Sequence, residues 1–349
     1  MMPASPLNIA VIGLGFMGVT HLKAWRNVPG ARLHAVVDAD RRRLTGDLSS
    51  VSGNLGGGGE QFDFSDVRGY GTLEEALADS SIDAVDICLP TDRHAPAATA
   101  ALRAGKHVLT EKPISLDAAS ADALIREGEK SGRILMAAHV LRFFPAYEKL
   151  TQCLREGTPV RSALFRRRCA APVWSPWLKD PARSGGGIMD LLIHDADFCI
   201  SLWGMPESVR ARGHRDLTRG IDVIHADLMY PKLGPVVITG GWHHPNSYPF
   251  SMEFTVTSDS ATFEWGSAAN DFREYSAEGE ARSIPLEDKD PFTAELAYFA
   301  DCVARDIQPE RCPPQQSVMS VKLIEAMVES RENNGDVVRS AFIGVHRRP

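Results

Sequence analysis

Two short segments of the chain carry side chains able to move protons. In Glu111-Lys112-Pro113 a lysine sits at the exit of an apolar, strand-like run, and the proline behind it keeps Lys112 out of helical angles. A lysine held there can hydrogen-bond a reacting oxygen and stabilise a developing alkoxide. The same position also suits a lysine that only covers the edge of a sheet. In Gly185-Gly-Gly-Ile-Met-Asp190-Leu-Leu-Ile-His194-Asp-Ala-Asp197, Asp190 and His194 are one helical turn apart, and Asp197 continues that face. A carboxylate beside a histidine fixes its tautomer and favours its charged form. The imidazole can then take the proton of a hydroxyl. Such a pair also occurs as plain helix structure. Asp195 falls on another face and is expected to serve structure. A metal site from Asp190, His194 and Asp197 lacks a further ligand of the usual type, so no metal is expected.

A second pattern concerns a nucleotide. Gly13-Leu-Gly15-Phe16-Met17-Gly18 directly follows the apolar run Leu7–Ile12 and opens a helix-like segment carrying His21, Leu22 and Trp25. Alone, three spaced glycines are a weak signal. Between a strand and a helix, they permit a tight turn, approach of a pyrophosphate to backbone N–H groups, and close helix–strand packing. Asp38 ends the next apolar run, 20 residues after Gly18, the spacing of an acid that binds the ribose hydroxyls of NAD. It would repel the 2′-phosphate of NADP. Arg41, Arg42 and Arg43 follow at once and soften that repulsion, so NAD is expected, with NADP tolerated.

These side chains need a scaffold. Apolar runs at Leu7–Ile12, Leu33–Val37, Ala84–Leu89, His107–Leu109 and Ile134–Ala137 alternate with helix-like segments near 16–28, 72–79, 93–104 and 117–131. Thr72 with Glu75 makes a capping box, and Gly105 and Gly132 stop helices. This alternation predicts an α/β domain with a doubly wound parallel sheet over 1–140. Gly53–Gly59 interrupts it as a loop without chemistry of its own. Past residue 158 β-like runs arrive in close succession: Val160–Cys169, Val209–Gly213, Val223–Tyr230, Val236–Trp242, Ser251–Thr257 and Ala261–Trp265. One helix near 187–203 breaks the series, and two follow it, one started by Asp290-Pro291 and one near 315–332. The region 141–349 therefore reads as an α+β domain built on a large, open, mainly antiparallel sheet.

The 349 residues suit two domains, with 44% hydrophobic and 24% charged residues as in ordinary globular chains. A formal charge of −7 gives no support to a nucleic-acid partner. The six cysteines form no Cys-x-x-Cys pair, so neither a disulfide framework nor a zinc site is expected. No run approaches a membrane span. The opening MMPASPLN lacks a basic stretch ahead of an apolar one, so export is not expected and the cytoplasm is the expected location.

Together, the glycine motif, Glu111-Lys112-Pro113 and Asp190-x-x-x-His194 resemble the glucose–fructose oxidoreductase, inositol dehydrogenase and rhizopine catabolism family of NAD(P)-dependent oxidoreductases. The resemblance implies an N-terminal Rossmann domain and a C-terminal domain for substrate binding and oligomerisation, with the last helices packing back on the first. It implies cofactor contacts from Gly13, Gly15, Phe16, Met17, Gly18, Asp38, Arg43, Leu89, Thr91, His94, Glu111 and Lys112. Catalysis falls to Lys112, His194 and Asp190, and substrate contacts to Lys112, His194, Arg142, Trp174, Trp177 and Arg183. Val140-Leu-Arg142-Phe-Phe-Pro145 matches the family's Arg-bearing turn, whereas Asp92 stands where the family usually has Asn. The expected activity is hydride transfer between a secondary hydroxyl or carbonyl of a cyclic sugar, polyol or inositol-like molecule and the nicotinamide. Two alternatives are a glycoside-cleaving enzyme that oxidises transiently with retained NAD, and a non-catalytic NAD-binding regulator. A homodimer or homotetramer is expected through the outer sheet face, filled by Val223, Val237, Phe254 and Val256.

Overall fold

A computed structural model of the chain describes residues 6–53, 59–154 and 158–340. Residues 1–5 of the N-terminal reading and 54–58 of the 53–59 loop lie outside them. Two compact units are present: the chain up to Phe143 together with Lys289–Val318, and Phe144–Asp288 together with the chain from Met319 onward.

The first unit contains β1 (Leu7–Ile12), α1 (Phe16–Trp25), β2 (Ala31–Val37), β3 (Arg68–Tyr70), α2 (Leu73–Leu77), β4 (Ala84–Ile87), α3 (His94–Arg103), β5 (His107–Glu111), α4 (Ala118–Ser131) and β6 (Leu135–Ala138). The strands form one parallel sheet in the order β3-β2-β1-β4-β5-β6. That order reverses between β1 and β4, so the carboxyl ends of these two strands flank the crevice where such sheets bind ligands. Local signals set the element ends. Thr72 Oγ1 accepts the Glu75 N–H while the Glu75 carboxylate accepts the Thr72 N–H, which starts α2. Gly132, at φ 64°, closes α4. The strand cores are apolar and buried because both sheet faces are covered. A later helix, α8 (Pro291–Arg305), packs on α1 in the same unit, with Leu296 and Phe299 fully buried.

The second unit contains α5 (Pro145–Cys153), β7 (Val160–Cys169), α6 (Pro181–Ser184), α7 (Ile193–Trp203), β8 (Ser208–Asp216), β9 (Ile221–Met229), β10 (Val236–Trp242), β11 (Ser251–Ser258), β12 (Ala261–Gly266), β13 (Phe272–Ser276), β14 (Ala281–Ile284), most of α9 (Pro314–Glu332) and β15 (Val338–Arg339). Its sheet has the order β14-β13-β12-β11-β7-β10-β9-β8-β15 and is antiparallel except for the β7–β10 pair. One face packs against helices through Tyr147 of α5, Phe165 of β7, Phe198 of α7, Phe254 of β11 and Trp265 of β12, mostly edge to face.

The outer face differs from the expectation. Alternation along β11 buries Met252, Phe254 and Val256 under the helices and turns Glu253, Thr255 and Thr257 outward. Val223 and Val237 do lie on the opposite, part-exposed face, but among Thr239, His225 and Asp227. Phe254 and Val256 belong to the core.

Candidate active site

In the first unit the glycine turn is shaped as a phosphate cradle. Gly13 leaves β1 at φ +94°, a conformation costly for other residues, and its N–H donates to Val37 O at 2.8 Å. At Gly18 a Cβ would lie 2.0 Å from Gly13 O, so only glycine lets α1 sit this close to the turn. At Gly15, the N-cap of α1, a Cβ would meet nothing within 4 Å. No acid occupies the first turn of α1. Its partial positive charge and outward N–H groups thus face an open approach, which fits a pyrophosphate.

Asp38 follows β2 and is only 11% exposed. Its carboxylate accepts the Leu14 and Asp40 N–H groups, each at 2.8 Å, and pairs with Arg43 at 3.2 Å. It is thereby tied to the glycine turn itself. Arg42 pairs instead with Asp40 and is 91% exposed. That pairing holds the Asp40 carboxyl down at about 2. Beside it Arg41, Leu44, Gly69, Tyr70, Gly71 and Glu75 line a shallow depression. The residues present fit a dinucleotide.

The carboxyl ends of β4 and β5 meet through His94. Its ring spans Leu89 O and Pro113 O, 2.7 Å from each. A neutral imidazole donates to only one of them. Burial outweighs the two carbonyls and holds its pKa below the ordinary range. Thr91 opens a short 3-10 turn just before α3. Glu111 is buried, and its carboxylate accepts the backbone N–H of Lys112 at 2.9 Å. Arg142, for which the resemblance implied a substrate contact, is buried: it donates to Arg311 O at 2.8 Å and to Gln316 Oε1 at 2.6 Å.

In the second unit the helix carrying the Asp–His pair begins differently from the expected α-helix. Ile188–Leu192 is a π-helical turn, and α7 starts only at Ile193. From 186 to 200, Asp190 and His194 are the two positions not buried. Asp197 leaves the face predicted for it: it is fully buried and accepts a hydrogen bond from Ser320 at 3.0 Å. Asp195 is held by Arg167 through two bonds of 2.8 and 3.1 Å.

Several side chains gather at this turn. The charge of Asp190 and burial together push the Cys169 thiol up to about 12, burial being the larger cause. Trp242 lies against Gly187, where a Cβ would be 2.7 Å from the indole. Ala171 and Leu178 pack with Cys169, Leu191 and Trp242, which ties the loop bearing Trp174, Trp177 and Arg183 to this site. All three are part-exposed. His243 and His244 follow Trp242, their N–H groups donating to Cys169 O. Sequence reasoning missed two residues that fix the helix start. Asp222 of β9 accepts the Ile188 N–H at 3.2 Å and pairs with Arg331 of α9 at 2.5 Å. No local motif marks residues so far apart in sequence.

Residues 7–139 match the model of an oxidoreductase family with an NAD-binding Rossmann fold, and residues 149–264 match a GFO/IDH/MocA C-terminal domain. The chain is similar to myo-inositol 2-dehydrogenase of Thermotoga maritima, 31% identical over 201 residues, 57% of this chain and 55% of that one. It is also 31% identical over 221 residues to UDP-N-acetylglucosamine 3-dehydrogenase of Acidithiobacillus ferrooxidans, covering 63% and 62% of the two chains. The matches span between about a half and two thirds of these curated relatives. A solved levoglucosan dehydrogenase, in complex with NADH and levoglucosan, aligns at a TM-score of 0.83 over 97% of this chain and 100% of that one. At 18% identity this is likeness of fold alone. Among the described residues, no helix is long and apolar enough to cross a membrane.

Proposed function

Because the chain belongs to the GFO/IDH/MocA family of oxidoreductases, we propose that it is a nicotinamide-dependent dehydrogenase or reductase acting on a secondary hydroxyl or carbonyl of a cyclic sugar, polyol or inositol-like substrate. The observation that carries this reading is the pair Asp190 and His194, left part-exposed on an otherwise buried helical stretch. The relatives named for inositol and a sugar nucleotide support the substrate class. When bound, the dinucleotide supplies the acceptor for the hydride that leaves the substrate carbon. Gly13, Gly15 and Gly18 would hold its pyrophosphate and Asp38 its ribose. On this reading His194 is the base for the hydroxyl proton, Asp190 orients its ring, and Lys112 is the polarising donor. Trp174, Trp177 and Arg183 offer aromatic faces and a donor to a ring-shaped substrate.

The test is NADH absorbance with the purified protein, NAD and a panel of inositols, aldoses and sugar nucleotides. At least one cyclic polyol is expected to give a steady rise. Cleavage of a glycoside without net NADH would replace this reading by transient oxidation and elimination. Tight NAD binding with no turnover of any kind would make the protein a regulator.

NAD is expected to bind more tightly than NADP. A phosphate near the Asp38 carboxylate costs roughly 1–3 kcal/mol in a partly solvated site, or about 5- to 140-fold in affinity. Asp38→Asn keeps an oxygen for the Leu14 N–H and is expected to bring the two dissociation constants within a few-fold. NADP binding as tight as NAD in the unaltered protein would assign the pocket to Arg43 and Arg41.

A further inference from the structure

Beneath the glycine turn lies a buried cluster that the proposed chemistry does not use. His21 of α1 is fully buried, and a carboxylate faces each ring nitrogen. Asp86 of β4 sits 2.9 and 3.0 Å from Nδ1, and Glu111 of β5 sits 3.2 Å from Nε2 at ion-pair distance. Trp25 Nε1 donates to Asp86 Oδ2 at 2.8 Å, and Cys88 Sγ is 3.4 Å from Nδ1. The other Glu111 oxygen accepts the backbone N–H of Lys112. α8 brings Phe292 against the imidazole at 6.3 Å and carries the buried Glu295 one turn further on.

Two carboxylates in so dry a place are costly unless a cation lies between them. A neutral imidazole would give one of them a lone pair in place of a proton. We propose that His21 is a buried imidazolium strut that positions Lys112: it bridges Asp86 to Glu111, and Glu111 in turn holds the backbone of Lys112. The strut ties the helix of the glycine turn to the strand end carrying the lysine. The role rests on the reading of Lys112 as the polarising donor. Burial works against charge on His21, but Asp86 chiefly outweighs it and holds the imidazole well above its ordinary range, while His21 holds Glu111 below its own against the same burial. The Cys88 thiol is pushed far up by burial and the Asp86 charge, so it stays protonated. A metal ion on His21, Asp86 and Cys88, whose donor atoms lie within 4.8 Å of one another, is the competing occupant: it would take the Nδ1 lone pair that the strut gives to a proton facing Asp86, so the two exclude each other.

The decisive measurement is ring-nitrogen NMR of the whole protein labelled with 15N-histidine, the His21 signals assigned by their loss in His21→Gln. Both nitrogens are expected to be protonated at about pH 8, well above ordinary imidazole titration. In Glu111→Gln, which still accepts the Lys112 N–H, titration of His21 is expected to move to lower pH. A singly protonated ring in the unaltered protein at neutral pH overturns the strut, as does a stoichiometric divalent ion in the purified protein. Kinetically, His21→Gln is expected to lower kcat by roughly 10–100-fold through displacement of the lysine, with KM and the NAD dissociation constant nearly unchanged. An unchanged kcat beside a damaging Lys112→Ala overturns the positioning role. A normal rate in Lys112→Ala instead overturns the functional reading, and the ring-nitrogen spectrum then still decides whether His21 is cationic.

Discussion

Replacing His194 by alanine is expected to lower the rate of substrate oxidation by about 10²–10⁴-fold and to remove the acidic limb of its pH profile. An imidazole titrates near neutral pH and can take a proton there, whereas an ordinary alkylammonium keeps its own and can only donate. The structure adds exposure: His194 and Asp190 reach the surface from a stretch whose other residues from 186 to 200 are buried. Asp190→Asn is expected to move the acidic limb to lower pH, because a neighbouring anion favours imidazolium and its removal favours the neutral base. Lys112→Ala is expected to lower the rate and leave the limb in place. Survival of the limb in His194→Ala, with its loss in Lys112→Ala, would exchange the two roles. Unchanged turnover in both variants, with NAD still bound, would place the chemistry elsewhere in the protein.

What the sequence disclosed and what it hid follow from the range of the interactions concerned. The glycine turn and the Asp38 spacing are legible because strand, turn and helix are contiguous, and the first glycine answers to a local need, the positive φ at Gly13. The short strand β3 leaves no sequence signal because Arg68-Gly-Tyr70 has no apolar run and is recruited by pairing with β2. The hairpin of β13 and β14 leaves little signal for a similar reason: it sits at the sheet edge and carries Arg273, Glu274 and Arg282 in place of an apolar run.

Two differences between sequence pattern and structure are differences of phase. Alternation says that Phe254 and Val256 share a face, but only packing against Tyr147 and Trp265 decides that this face is the covered one. At 3.6 residues per turn Asp197 shares the face of Asp190 and His194, and the π turn at Ile188–Leu192 shifts that count. His21, Asp86, Asp222 and Arg331 carry no local signal as functional residues because their partners lie 34 to 109 positions away. Arg142 was legible as part of a family turn, yet its guanidinium is committed to Arg311 O and Gln316.

The largest effect on stability is expected at Asp195. Its carboxylate is fully buried and holds the Arg167 guanidinium, itself 3% exposed, through two nearly parallel bonds. Such a pair contributes little net stability compared with well-packed apolar side chains, because both charges lose their water. Breaking it is another matter. Asp195→Ala leaves a buried cation whose remaining neighbours include Met252 Sδ at 3.2 Å, the face of Phe250 at 5.9 Å and the Tyr147 hydroxyl, which burial keeps protonated; none of them can neutralise it. The cost is expected to be about 3–5 kcal/mol, read as a lower denaturant midpoint at unchanged slope. Arg167→Met combined with Asp195→Leu removes both charges and is expected to recover most of that loss. A loss below about 1 kcal/mol in Asp195→Ala would mean that water reaches Arg167, contrary to its burial here. Because Asp195 adjoins His194 at the start of α7, the double variant also separates two demands on this helix. If it recovers stability but not turnover, the ion pair fixes the direction of His194 as well as the anchorage of α7 to β7.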